Sequence, residues 1–102
     1  MICVIATIEL AEGCREKFLA EFRRVAPHVR AERGCVEYVP MIDVPTNIAA
    51  QSPVRPNAVI VVEKWEDIGS LEAHLIAPHM IEYRKRVKDL VQSVALQVLS
   101  PA

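Results

Sequence analysis

Three glycines in 102 residues leave no G-x-G-x-x-G loop, and neither an H-E-x-x-H motif nor a C-x-x-C pair occurs. The chain thus carries no visible flavin, nicotinamide or metal site, and no cofactor is expected. Cys3, Cys14 and Cys35 form an odd set without paired spacing, which argues against a disulfide framework and for reduced thiols. Basic bias is also missing. Twelve Lys and Arg stand against thirteen Asp and Glu, for a formal charge of −1, and the longest basic cluster is Arg84-Lys85-Arg86. Without an electrostatic footprint for phosphates, a nucleic-acid partner is not expected. Glu9 and Glu12 interrupt the apolar start far short of the roughly 20 residues of a membrane span, and no basic leader precedes it. A cytoplasmic location with no membrane partner is the expectation.

What remains is aliphatic. Val, Ile, Leu and Ala dominate a chain that is 52% apolar, and only five aromatics occur. That surplus exceeds what one domain of residues 1–102 needs for its own core, so it asks for a partner surface. Ile2 to Leu10 alternates with period two, one parity wholly apolar, as a strand does. Phe18, Phe22, Val25 and Val29 then make the stripe of a helix, with Pro27 expected to kink it and Gly34 to close it. Cys35 to Asp43 reads as a second strand, with Pro40 marking an edge or a bulge. Val44 to Asn57, with three prolines and no stripe, reads as a long loop able to serve as a lid. Ala58 to Trp65 is a β-branched third strand. Asp67 or Ser70 can cap a helix carrying Leu71, Leu75 and Ile68 inward until Ala77-Pro78 breaks it, and Pro78 can start a further helix to about Asp89. Leu90 to Leu99 is the last strand. The order β-α-β-β-α-β predicts an α+β, ferredoxin-like layer with both helical segments on one face. Strands apolar on both parities leave the other face to be covered, which predicts a homodimer with sheets face to face.

Several motifs go further: Glu32-x-Gly-Cys-x-x-Tyr38, Pro40-Met-Ile-Asp43, Gln51-Ser52, Val62-Glu-x-Trp65 and Leu71-Glu-Ala-His-Leu-x-x-Pro-His-Met80. Through them nearly the whole chain resembles the antibiotic biosynthesis monooxygenase superfamily of dimeric α/β barrels, and within it the quinol monooxygenases. The resemblance implies a cofactor-independent oxidoreductase, a monooxygenase or quinol oxidase acting with O2 on small hydroxylated aromatics such as naphthoquinols. Ground-state dioxygen is a triplet, so such a substrate must itself donate an electron, as a quinol anion can. The protein then has to deprotonate, orient and exclude water.

Candidate residues follow from that chemistry. His79 directly follows Pro78 at a helix start, where the macrodipole disfavours an imidazolium and leaves a ring able to accept a hydroxyl proton. The plainer reading is a ring that caps the helix or bonds a backbone carbonyl. His74 lies five residues earlier, about 140° away on an uninterrupted helix, which suits substrate contact better than a shared metal. Glu63 shares a strand face with Val59, Val61 and Trp65, as a base with burial-raised pKa or as one half of an ion pair. Trp65 can stack on an aromatic ring or simply fill the core, and Tyr38 and Tyr83 can bond a second oxygen. Cys35 reads as a small buried thiol rather than a nucleophile. Two other functions stay open. One is a non-catalytic dimeric module that binds a small aromatic metabolite. The other is haem degradation, although haem-degrading members of the superfamily carry Asn in the first strand, where Ile5-Ala6-Thr7 stands here.

Overall fold

The computed structural model describes all of residues 1–102. The elements run β1 (Ile2–Leu10), α1 (Arg15–Arg30), β2 (Cys35–Met41), β3 (Ala58–Trp65), α2 (Ile68–Leu75), α3 (Pro78–Val87) and β4 (Val91–Leu99). The four strands form one antiparallel sheet in the order β2-β3-β1-β4, which is the ferredoxin-like arrangement expected from the sequence, with the second helical segment divided in two. No helix is long and apolar enough to cross a membrane.

Register carries the period-two pattern from strand to strand. Ala6 sits opposite Val61 on one side and Leu96 on the other, and Ile8 opposite Val59 and Val94. Val4, Ala6, Ile8, Val59 and Val61 are thereby aligned on one face and buried. Phe18, Phe22, Val25 and Val29 of α1 cover that face, as their spacing requires. Pro27 falls in the last turn of α1, which continues through it to Arg30. Pro40 lies on β2, an edge strand, where a missing donor faces no neighbour. The ladder irregularity in β2 falls between Cys35 and Glu37 instead.

One expectation about inward-facing residues fails and one holds in part. Ile68 is 48% exposed, and Leu75 faces the cavity described below but stays 37% exposed, while Leu71 and His74 are buried. An eight-residue helix presents only one short stripe, and here its second member is an imidazole rather than an aliphatic group. The loop from 42 to 57 contains no strand or helix, and none of its residues borders the cavity described below. It is tied to itself: Arg55 donates from Nε and Nη2 to both Asp43 oxygens at 2.9 Å, and Gln51 Nε2 donates to the Val44 carbonyl at 2.7 Å. The Arg55 bonds hold the Asp43 carboxyl down at about 2.

The turn from α1 into β2 has to bring α2 close. Gly34 sits at φ +83°, and a Cβ there would collide with the Ser70 side chain. The backbone conformation and the contact both require glycine. Gly34→Ala is expected to cost ~2 kcal/mol or more, combining left-handed strain with displacement of α2. Chemical denaturation checks this, and an unchanged midpoint would contradict it.

Candidate active site

Between the sheet and the helix layer, bounded on one side by β4, lies a cavity of about 490 Å³. Twelve of its sixteen lining residues are hydrophobic, among them Phe18, Met80, Val87 and the β4 residues Val94 and Leu96. Only four lining residues carry ionisable acid, imidazole or cationic groups: Glu63, His74, Arg84 and Lys88. Tyr38 and Tyr83 add two phenols to the same wall.

His74 is held by a residue 42 positions earlier. Its Nδ1 donates to Glu32 Oε2 at 2.9 Å, and the same oxygen accepts from His79 Nε2 at 2.7 Å. Both contacts trace to chain breaks. Glu32 lies in the turn that Gly34 closes, and Ala77 adopts an extended conformation (φ −62°, ψ 141°) between α2 and α3. That break resets the helical phase, so two rings expected far apart converge on one carboxylate. An ionised carboxylate only accepts, so each ring must present an N–H to it. For a neutral His74 this places the lone pair on Nε2, the edge left for the cavity. Burial lowers the His74 pKa below its usual value, more than the Glu32 hydrogen bond and charge raise it. The ring is thus a neutral base at pH 7.

His79 lies elsewhere. Its side chain is 28% exposed and borders a separate groove of about 210 Å³, with Glu21, Arg24, His28 and Arg86. It is linked to His74 through Glu32, and Tyr83 borders both the groove and the cavity.

Glu63 is 5% exposed. It accepts from Trp65 Nε1 at 3.0 Å and has no cationic partner. Burial pushes its carboxyl up to about 7, against the lowering effect of the indole bond and with a further rise from Glu32. A carboxyl so placed can give or take a proton near neutrality. Trp65 itself is fully buried and absent from the cavity wall; its ring packs against His74 at a centroid distance of 4.7 Å. It therefore orients Glu63 and His74 and does not offer the stacking face expected of it. Tyr38 stacks on Phe22 at 5.0 Å with planes 7° apart and meets His74 edge-on at 5.5 Å. Arg30 donates to the Tyr38 carbonyl from Nη2 at 2.8 Å, fixing this end of β2 against α1. Burial raises the pKa of both Tyr38 and Tyr83, with Glu63 adding to the rise, so both phenols stay protonated as donors. Burial likewise keeps Cys35 a thiol.

The structure brings His74, Glu63, Tyr38 and Tyr83 together at one cavity and leaves Trp65 behind the wall and His79 outside it. Glu32, Arg84 and Lys88 were not anticipated as site residues. Glu32 opens the motif Glu32-x-Gly-Cys, so a signal was present. The two cations stood in and beside a basic run that reads as a solvated helix face.

Comparison with known proteins agrees with this architecture. The model of the antibiotic biosynthesis monooxygenase family matches residues 1–86. The chain is 38% identical to the probable quinol monooxygenase YgiN of Escherichia coli, across 99% of this chain and 98% of that one. Among solved structures, PA3566 from Pseudomonas aeruginosa superposes with a TM-score of 0.80 at 27% identity, covering 99% of this chain and 93% of that chain. Rv0793 from Mycobacterium tuberculosis gives 0.78 at 25%, covering 99% and 94%.

Proposed function

We propose, since this chain belongs to the antibiotic biosynthesis monooxygenase family, that it oxidises small hydroxylated aromatics of the naphthoquinol type with O2 and without a cofactor. The observation that carries this reading is His74, a neutral imidazole fixed by Glu32 on the wall of an apolar cavity that also holds Glu63. A quinol hydroxyl gives its proton to His74 Nε2. The quinolate so formed is electron-rich enough to reduce dioxygen by one electron, and the semiquinone and superoxide recombine or exchange a second electron. Oxygen insertion converts quinol and O2 to a hydroxyquinone and water, whereas plain oxidation gives quinone and hydrogen peroxide. Either route needs protons returned to reduced oxygen, and His74 and Glu63 stand at the site to return them. Apolar walls keep water from intercepting the radical pair. Tyr38 and Tyr83 donate to the second quinol oxygen, and His79 acts from outside by sharing Glu32.

The same reading includes a homodimer. Val94, Leu96 and Val98 of β4, opposite Ile8, Ala6 and Val4 on the helix side of the sheet, are each 45% exposed or more, a row that a second copy would cover. Cover at Val94 and Leu96 would also close the open side of the cavity.

Oxygen uptake by metal-stripped protein with a reduced naphthoquinol, corrected for autoxidation, is the test. Uptake that saturates with quinol is expected, and its peroxide yield separates insertion from plain oxidation. Uptake no faster than autoxidation would remove the proposal.

A further inference from the structure

The mouth of the cavity carries a charge the quinol reaction does not require. Arg84 and Lys88, four residues apart and so on one face, border it at the end of α3. The arginines and lysines that lie within 4 Å of a carboxylate are Arg24, Arg55, Lys64 and Arg86, beside Glu21, Asp43, Glu37 and Glu82. Neither Arg84 nor Lys88 has such a partner within the chain. Arg84 is nevertheless fixed: one Nη2 hydrogen is donated to the Leu75 carbonyl at the end of α2, which leaves the rest of its donor fork free. A held guanidinium beside a flexible ammonium, opening on a cavity with mostly apolar walls, is a binding arrangement for an anion carried on an apolar body.

We propose that the cavity selects an aromatic ligand bearing a carboxylate, seated at Arg84 and Lys88 with its hydroxyl toward His74 and Glu63. The inference rests on the cavity being the substrate site, and it narrows the substrate class from quinols in general to carboxylated hydroxyaromatics. Glu63 on β3 and His74 on α2 can meet the hydroxyl while Arg84 and Lys88, at the end of α3, take the carboxylate, which favours one orientation for such a ligand. Reversed, its carboxylate would meet Glu63 and the Glu32-bound imidazole. Arg84 also depresses the basicity of His74 through space, an effect that a bound carboxylate would relieve.

Calorimetric titration of the full chain with 6-hydroxy-2-naphthoate and its methyl ester tests the idea without any redox chemistry. The acid is expected to bind about 10-fold more tightly than the ester, with an advantage that shrinks as salt rises. Arg84→Gln with Lys88→Gln should bring the acid down to the ester while the ester holds within about two-fold. Lys88→Gln alone, which removes no hydrogen bond within the chain, should cost the acid part of that margin. Equal binding of acid and ester by the wild type, an advantage that survives in the double variant, or binding of neither probe overturns the proposal. Preferential binding of the acid without quinol oxidation leaves it standing and refutes the oxidase reading instead.

Discussion

Replacing His74 by glutamine is expected to lower kcat/KM for quinol oxidation by roughly 10²- to 10⁴-fold, the usual worth of a positioned general base. Glutamine fills similar space and keeps a donor for Glu32, so the loss would report missing basicity rather than a collapsed cavity. Glu32→Gln should follow, by roughly 10-fold or more, because a neutral amide neither fixes the Nδ1–H tautomer nor stabilises the imidazolium formed at His74. His79→Ala should cost least, since His79 is not on the cavity wall and its hydrogen bond is to the Glu32 oxygen that it shares with His74. The order of the three effects is the informative quantity in steady-state kinetics. A His79 variant as impaired as the His74 variant would move substrate contact to the outer groove.

The second large effect is on stability. Glu63 titrates at about 7 in the folded chain against 4.5 without the fold, so the folded state holds its proton more tightly. Below pH 4.5 both states are protonated and the carboxyl imposes no penalty. As pH rises from 4.5 to 7 the unfolded chain ionises first and the native state loses stability, by ~3 kcal/mol at most once both have ionised. Glu63→Gln removes that cost and can keep an oxygen for the Trp65 indole. Urea denaturation should therefore find the variant about 1 to 3 kcal/mol more stable than the wild type at pH 8.5 and equal to it near pH 4.5. His74, whose folded pKa is depressed, contributes the opposite slope, losing stability as pH falls below 6.5, but it does so in both proteins and drops out of the difference. A variant less stable than the wild type at pH 8.5 would mean that Glu63 is ionised and satisfied in the native chain. The same substitution should slow turnover, which would make this position one where the active site is maintained against the stability of the fold.

Local periodicity is what made the sheet and α1 readable. Val4, Ala6 and Ile8, or Phe18, Phe22, Val25 and Val29, declare their shared faces through spacing alone, and the elements they define lie where they were expected. Site residues were half readable for the same reason. Glu63 stood out as a carboxylate in an apolar row. The pairing of His74 and His79 did not, because it spans 42 and 47 residues to Glu32 and depends on a phase break at Ala77 that no helical wheel describes. His74 was named for substrate contact, but its burial on an inward position of a short helix was not. Trp65 was misplaced because strand parity gives the face of a side chain but not its depth.

Trp65 is the chain's only tryptophan, with its N–H on Glu63 and its ring on His74. One fluorophore thus touches both groups proposed to exchange protons with the substrate. The emission of the native protein becomes a private channel to the site: ionisation of one neighbour and protonation of the other each alter the same excited state. Ligand arrival and the charge states of Glu63 and His74 can be followed without a label, by the light of a residue that lies behind the cavity wall.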